Sequence, residues 1–314
     1  MDAFSKKITA ALEILGARRD RERQDNATIY LHRLDPGSPF AVALLTIELQ
    51  PWFGLVHLTP KTRATPLDYQ KVKFSTLENA VIESSLGTES IRMCTLLTMP
   101  SVLRESFIQI SSELTSLHSR NASEEQLYRV IEAWSEAFLQ VTEPTDGEVL
   151  GLWGELLAIL ESPDSDAMVK AWHGEKHATY DFVFADGSVR EVKTAGNGRR
   201  KHSFSSNQIH VGMPTDFTLI SIVTLPSDDG LSVSQLKEAI LAKLISVDSQ
   251  ISLLRKCSKV CPPQSQKMNL AWNFKQAQDS MRNYSASALS APSYVFPVSD
   301  VSWSQVFDED ESDT

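Results

Sequence analysis

Residues 180–194 read Tyr-Asp-Phe-Val-Phe-Ala-Asp-Gly-Ser-Val-Arg-Glu-Val-Lys-Thr. Two runs of β-branched and aromatic residues flank Asp186-Gly187, a dipeptide that is typical of a tight turn between antiparallel strands. On the second strand Glu191 and Lys193 are two residues apart, so both side chains project from one face of the sheet. Val192 lies between them and faces the other way, into a core. The stretch therefore predicts a β-hairpin whose second strand carries an acid and a base side by side.

The face on which Asp181 lies depends on the register of this hairpin. A two-residue turn would place Asp181 on the face opposite Glu191. A three-residue, bulged turn of residues 186–188 would instead pair Val183 with Glu191 and Asp181 with Lys193. All three polar side chains would then share one face, and we predict this bulged register.

These residue types suit the hydrolysis of a phosphodiester. Two carboxylates on neighbouring strands form a hard-oxygen site for Mg²⁺ or Mn²⁺, so Asp181 and Glu191 are predicted to be metal ligands. A divalent cation lowers the pKa of a bound water molecule and stabilises the charge that develops in the transition state. Lys193 would orient or deprotonate the attacking water, or neutralise the scissile phosphate. We therefore predict that all three residues are catalytic and that the cofactor is Mg²⁺ or Mn²⁺.

A fourth acidic residue lies in an almost wholly apolar stretch. Residues 149–160 read Val-Leu-Gly-Leu-Trp-Gly-Glu-Leu-Leu-Ala-Ile-Leu, and Glu155 is the one charged residue among them. A carboxylate in an apolar helix is costly to bury unless it is paired or bound to a metal. The small residues Gly151 and Gly154 would let this helix approach the sheet closely. Glu155 either lies on a narrow solvent-exposed stripe or is a further catalytic and metal-binding acid, and we favour the second interpretation.

The chain is acidic, but its charge is unevenly distributed. It has 30 Lys and Arg residues against 40 Asp and Glu residues, a net charge of −10, which argues against a general polyanion-binding protein. Residues 307–314 contain five acids and are predicted to be a disordered tail. Residues 190–202, by contrast, contain five Lys and Arg residues against one Glu. This basic segment is either a solvated loop or, given its place beside the hairpin acids, a contact for a phosphate backbone.

The chain divides into two parts by its pattern of predicted elements. Residues 1–143 are predicted to form an N-terminal unit of helices and an antiparallel meander, an accessory or partner-binding region. Residues 144–306 alternate helices and strands, beginning with a capping box at Thr145-x-x-Glu148. This alternation predicts an α/β (α+β) fold with a central mixed sheet flanked by helices. Residues 294–298, Tyr-Val-Phe-Pro-Val, are predicted as a late edge strand because proline cannot donate a ladder hydrogen bond.

Several classes of protein are disfavoured. No stretch approaches the roughly 18 uncharged apolar residues that a membrane span requires, and the N-terminus lacks the apolar region of a secretion signal. The cysteines at positions 94, 257 and 261 do not suggest a disulfide framework. The sequence contains neither a Gly-x-Ser-x-Gly elbow nor a P-loop. We therefore expect a cytoplasmic protein with no membrane partner.

Five segments carry a resemblance to a known family: Gly151-Leu-Trp-Gly-Glu-Leu-Leu, Ala171-Trp-His-Gly, Tyr180-Asp-Phe, Glu191-Val-Lys-Thr and His202-Ser-Phe-Ser-Ser-Asn-Gln. Together they resemble the prokaryotic PD-(D/E)XK motif proteins, which are often encoded near restriction or phage-defence genes. The resemblance implies a restriction-endonuclease-like core, with Asp181 and Glu191 as metal ligands, Lys193 as the catalytic lysine and Glu155 as the helix acid. Tyr180 stands where the family pattern has proline, a residue that is often replaced at this position.

The same resemblance implies that the substrate is DNA. Gln208 follows the Glu-x-Lys strand at a position where related nucleases often have a polar residue near the active site. Ser203 could bond a phosphate or cap a following helix, and His202 could bond a phosphate or lie on the surface. The predicted DNA-binding residues are Arg199, Arg200, Lys201, His202, Ser203 and Gln208.

Two functions follow from the sequence. The first is a metal-dependent DNA endonuclease, for which double-strand cutting would favour a homodimer or two active sites. The resemblance implies a role in prokaryotic restriction–modification or antiviral defence, with other defence-operon proteins as partners. The alternative is a non-catalytic structural, DNA-binding or partner-binding subunit of a defence complex with a nuclease-like scaffold. An acidic chain with one small basic segment would suit a protein that needs partners to hold DNA. Affinity for Mn²⁺ and cleavage of DNA distinguish the two.

Overall fold

The computed structural model describes residues 3–22, 30–35, 38–47, 50–68, 71–84, 87–139, 143–173, 179–205, 214, 216–262, 265–289 and 302–307. The chain forms two compact units, Met1–Val141 and Thr142–Thr314. In the described ranges no helix combines the length and the apolar character needed to cross a membrane. The strand predicted at 294–298, Gln208 and the acidic residues of the C-terminal tail lie outside these ranges.

The first unit combines an antiparallel sheet with helices. Its elements are α1 (Ala3–Glu22), β1 (Tyr30–Arg33), β2 (Phe40–Ile47), β3 (Gln50–His57), β4 (Leu67–Asp68), β5 (Lys73–Ser84), β6 (Gly87–Pro100), α2 (Arg104–Ser119) and α3 (Glu124–Leu139). The strands pair in the order β1-β2-β3-β6-β5-β4. Alternate residues of β2, among them Ala41 and Ala43, join Val56 and Leu96 in a buried cluster on one face.

The helix α3 shows how local sequence fixes an element of this unit. Ser123 and Gln126 cap its start reciprocally, with Ser123 N–H donating to Gln126 Oε1 at 2.8 Å and Gln126 N–H to Ser123 Oγ at 3.2 Å. Leu127, Ile131 and Trp134 follow at helical spacing and are buried. A capping box and an apolar stripe therefore define this helix.

The second unit is built around a mixed sheet. Its elements are α4 (Asp146–Glu161), α5 (Ser165–Ala171), β7 (Phe182–Val183), β8 (Val189–Ala195), β9 (Lys201–Ser205), β10 (Phe217–Val223), β11 (Pro226–Ser232), α6 (Val233–Lys243), α7 (Val247–Val260), β12 (Ala271–Trp272), α8 (Phe274–Ser280), β13 (Arg282–Ser285) and β14 (Ser302–Val306). The sheet has the order β13-β10-β8-β7, with β8 parallel to β10 and the other two pairs antiparallel. Separate ladders join β9 to β14 and β11 to β12. The predicted α+β fold with a central mixed sheet is confirmed.

The helix α4 lies against one face of this sheet. Thr145 and Glu148 form the predicted capping box, with N–H···O distances of 2.8 and 3.2 Å. Along α4, Leu152 and Leu156 are buried with Val192 of β8 in the main apolar cluster, which also includes residues of α5, α6 and α7. Each fully buried leucine stabilises such a core by about 1.5–3 kcal/mol.

The opposite face of the sheet is covered by aromatic residues. Val189, Phe217 and Leu219 form a second buried cluster with Phe204 of β9 and Tyr284 of β13. Because side chains alternate along a strand, the residues of β8 at positions 189, 191 and 193 belong to this face and not to the one that α4 covers. The candidate site lies on β8, beside the end of its ladder with β7.

Candidate active site

The turn that joins β7 to β8 consists of residues 185–187. Gly187 N–H donates to the Phe184 carbonyl at 3.0 Å, and Gly187 has a φ angle of +87°, which glycine adopts without strain. Phe184 N–H donates in turn to the Ser188 carbonyl at 2.9 Å. Ser188 is therefore paired as a strand residue and does not belong to the turn.

The predicted register of this hairpin is wrong by two residues. Val183 pairs with Val189 and not with Glu191, because the three-residue turn lies one residue earlier than predicted. Continuing the observed register by one residue places Asp181 opposite Glu191 instead of opposite Lys193. A shift of two residues leaves every side chain on its original face, so the predicted grouping of the three polar residues is retained.

Asp181 and Glu191 are linked through the backbone at the edge of the sheet. The β7–β8 ladder ends at Arg190. Beyond that point Val192 N–H donates to Asp181 Oδ2 at 2.7 Å, so the carboxylate takes the place of a strand partner. The backbone N–H of Asp181 in turn hydrogen-bonds the Glu191 carboxylate. These reciprocal bonds hold Asp181 and its carboxylate beside Glu191 on β8.

Lys193 is held beside Glu191 by an ion pair. Its Nζ lies 2.8 Å from Glu191 Oε1, and the two side chains are 22% and 3% exposed. The same Nζ lies 5.7 Å from the centre of the Phe204 ring. Because Glu191 is almost fully buried, salt screens this pair less than it would a surface pair. Lys193 therefore keeps a fixed place between the buried acid and the solvent.

Glu155 reaches the same region from α4. Trp172, which follows α5 and is buried, donates its indole N–H to Glu155 Oε2 at 2.5 Å. The Lys256 amine on α7 donates to the Val169 carbonyl at 3.1 Å and also to the Trp172 carbonyl. It lies 5.4 Å from the centre of the Trp172 ring. Lys256 thus fixes the segment that carries Trp172, and Trp172 fixes Glu155.

Burial raises the pKa of all three acids. The pKa of Glu191 rises to about 8, chiefly through desolvation and then through repulsion from Asp181, while Lys193 opposes the rise. Desolvation and the Asp181 charge raise the pKa of Glu155 well above its usual value. The pKa of Asp181 is raised by burial, against the Val192 hydrogen bond and Lys193. Three acids with raised pKa values around one lysine are a grouping that is typical of functional sites.

The sequence of this chain matches a known protein family. A model of the family described as "Putative PD-(D/E)XK family member, (DUF4420)" matches residues 29–278, well over half of the chain. The chain belongs to this family. Asp181 and the run Glu191-Val-Lys fit the pattern in the name of this nuclease-like family. Neither the curated proteins nor the solved structures gave a match.

Nucleases of the PD-(D/E)XK type generally use divalent metal ions, so the donor set can be tested for one. Among the described residues, no group of three or more His, Cys, Asp and Glu residues is arranged so that it could hold a metal ion. The site offers a pair of carboxylates, Asp181 and Glu191, with Glu155 beside them and hydrogen-bonded to Trp172. The pair fits Mg²⁺ or Mn²⁺, because its oxygen donors are hard and a cation would offset the burial that raises both pKa values.

Two of the predicted DNA contacts after β8, Arg200 and His202, form hydrogen bonds within the protein. Arg200 donates to the Ser221 carbonyl at 3.0 Å and to Ser221 Oγ at 2.7 Å. His202 is buried, with Nε2 2.6 Å from the same hydroxyl. Burial, followed by Arg200 and Lys193, lowers the pKa of His202 to about 4, so its imidazole is neutral inside this PD-(D/E)XK protein near pH 7.

The remaining predicted contacts within the described ranges lie at the surface. Arg199 and Lys201 are exposed, and the exposed Ser203 shares a hydrogen bond of 2.8 Å with Ser304 of β14. Ser203 belongs to β9, so it does not cap a helix. Of the predicted DNA contacts within the described residues, the structure thus brings Arg199, Lys201 and Ser203 to the surface and keeps His202 inside.

Sequence reasoning did not anticipate two residues that support the site. Trp172 is buried, and its indole also holds Glu155. The Ala171-Trp-His-Gly segment, one of the five that carry the family resemblance, was a usable signal for it. Lys256 lies 84 residues further along the chain, and no local pattern connects it to Trp172.

Proposed function

We propose that this protein is a metal-dependent DNA endonuclease. The observation that carries the proposal is the grouping of Asp181, Glu191 and Lys193 on one hairpin, with the two acids bonded to neighbouring backbone N–H groups and the lysine paired to one of them. Membership of a nuclease-like family supports it. A prokaryotic restriction or phage-defence role is the biological setting we propose.

Asp181 and Glu191 would hold the Mg²⁺ or Mn²⁺ ion. When bound, such an ion lowers the pKa of water and neutralises charge on the phosphate. Lys193 lies within 2.8 Å of Glu191, so its ammonium group is placed to orient the attacking water or to contact the scissile phosphate. The Val192 N–H fixes the orientation of the Asp181 carboxylate before substrate arrives, so little reorganisation is needed during the reaction.

Glu155 contributes as a third acid beside this pair. Its raised pKa, caused first by burial and then by Asp181, means that it holds a proton more readily than an ordinary glutamate. Glu155 can therefore donate a hydrogen bond or a proton to the leaving oxygen, or become ionised when positive charge enters the site. Trp172 keeps the carboxyl group in place for either role.

Cleavage of supercoiled plasmid DNA in Mg²⁺ or Mn²⁺ tests the proposal. Asp181→Asn, Glu191→Gln and Lys193→Met should each lower the rate by about 100-fold or more, since each removes a group that acts in the transition state. Asp229→Asn and Glu238→Gln change exposed acids of the same unit and should cleave at the wild-type rate. Thermal unfolding of each variant reports on its fold.

The result that would overturn the proposal is equal cleavage by the wild type and the three site variants. Absence of cleavage together with absence of Mn²⁺ binding in a titration would favour the non-catalytic subunit instead. Plaque formation by phages on cells that carry wild type or Asp181→Asn tests the defence role separately, because that role requires the two strains to differ.

A further inference from the structure

The first unit contains a cavity of about 900 Å³ that is lined by residues of β1, β5 and β6 and of the loop after β3. Its wall carries the cations Arg33, Lys61, Arg63 and Arg92 and the acid Glu78. Four positive charges against one negative charge give the wall a formal charge of +3, in a chain whose net charge is −10. A concave surface with an excess of charge of one sign attracts ligands of the opposite sign, so this wall favours anions.

Among the described residues, the cations of this wall differ in the contacts that they make. Arg63 forms an ion pair with Glu78, and Arg33 donates to the Ser38 carbonyl at 3.4 Å. Lys61 and Arg92 are exposed side chains on two different elements, the loop after β3 and the strand β6. Each can turn its charge toward a bound anion without breaking an ion pair of the wall.

The loop that carries Lys61 is held rigidly. Glu124, the first residue of α3, accepts hydrogen bonds from Lys61 N–H at 2.5 Å and from Thr62 N–H at 2.8 Å. It also accepts from the Thr62 hydroxyl at 2.6 Å, and the Tyr128 hydroxyl donates to the Thr62 carbonyl at 3.3 Å. A loop that is already ordered loses little entropy when it binds a ligand. The backbone of this part of the wall is therefore ordered before a ligand binds.

The same cavity has apolar surface beside its cations. Leu58, Pro60, Ile91 and Met93 complete the part of the wall between the loop and β6. Small-molecule sites have volumes of about 300–1,000 Å³ and combine apolar walls with a few polar groups. The combination suits a ligand that has an anionic group at one end and a flat, weakly polar group at the other.

We propose that this cavity binds a nucleotide, with Lys61 and Arg92 on its phosphate and the apolar residues against its base or sugar. The nucleotide is either free or part of a nucleic-acid strand, since both present the same chemistry to the wall. The site belongs to the first unit and does not depend on the nuclease activity proposed for the second.

Binding of two probes to the full chain in EDTA tests this site, because chelation prevents any metal-dependent cleavage. The probes are ATP and a fluorescent single-stranded oligodeoxythymidylate of eight nucleotides, each titrated at low and at physiological salt. The double variant Lys61→Gln/Arg92→Gln should bind at least about 10-fold more weakly, since phosphate contacts dominate such affinities. The matched control Lys71→Gln/Arg104→Gln removes two exposed charges of the same unit outside the cavity and should stay within about twofold of wild type.

The two probes also identify the source of the nucleotide. Saturable binding of ATP that the Lys61/Arg92 substitutions weaken supports a free nucleotide, and binding of the oligonucleotide alone with the same loss supports a strand. Far-UV circular dichroism and thermal unfolding establish that both double variants are folded. The proposal is overturned if neither probe binds the wild type, or if the two double variants lose affinity equally.

Discussion

The backbone of Gly154 on α4 lies directly against the side chain of Thr194 on β8: a β carbon at position 154 would be 1.8 Å from Thr194 Oγ1 and 3.0 Å from its Cβ. Gly154→Ala should therefore push α4, which carries Glu155, away from the strand that carries Lys193. Overpacking of this kind costs about 1–3 kcal/mol in the free energy of unfolding, which urea denaturation measures.

Gly151 supplies the matched control for this prediction. It lies on the same helix, and a β carbon there would meet nothing within 4 Å. Gly151→Ala should leave the free energy of unfolding unchanged or raise it by up to about 1 kcal/mol, because alanine favours helix over glycine. Equal stability of the two variants would show that α4 does not need the glycine for its approach.

A second prediction concerns the hydrogen bond between Trp172 and Glu155. Trp172→Phe removes the indole N–H but keeps an aromatic ring, and should destabilise the protein by about 1–3 kcal/mol because a buried carboxyl group loses its partner. In the Glu155→Gln background the same change should cost a different amount, with a coupling energy of about 0.5–3 kcal/mol. Urea denaturation of the four proteins gives this coupling, and strict additivity would contradict the role assigned to Trp172.

The sequence was sufficient to predict the local elements that carry the site. The turn signal at Asp186-Gly187, the alternation around Val192 and the capping box at Thr145 each depend on neighbouring residues, and each is present. The parity of the predicted register was also correct, because the observed register differs from it by two residues.

What the sequence could not provide depends on contacts between distant segments. The exact register required knowing that Ser188 pairs with Phe184, a choice between turns that differ little in local preference. The burial of His202 follows from Ser221 on β10 and from Phe307, both far along the chain. A run of basic residues therefore predicted an exposed loop in which one member is in fact internal.

Gly187 offers a test of the corrected turn. Its φ angle of +87° lies in the region that residues with a β carbon adopt at a cost, so Gly187→Ala should lower the free energy of unfolding by about 1 kcal/mol. Gly187→Asn should cost less, since asparagine tolerates this conformation better than alanine. Thermal or urea unfolding compares the two variants. A larger cost for asparagine would mean that the backbone at 187 is not left-handed in solution.

The buried imidazole of His202 predicts a loss of stability in acid. Its pKa is lowered to about 4, from an ordinary value of 6.5, because burial and the Arg200 and Lys193 charges disfavour the imidazolium. Between pH 6.5 and 4 the unfolded chain binds more protons than the folded one. The contribution of His202 is therefore complete above pH 6.5 and is lost as the pH falls toward 4, by up to about 3 kcal/mol.

Replacement by glutamine, His202→Gln, keeps a polar group near Ser221 but cannot titrate, so the difference in unfolding free energy between wild type and variant should shrink or reverse from pH 7.5 to pH 4.5. His173→Gln, at an exposed position, controls for the loss of a histidine. A wild-type-minus-variant difference that stays constant across this range would mean that the His202 imidazole is not held neutral in the folded protein.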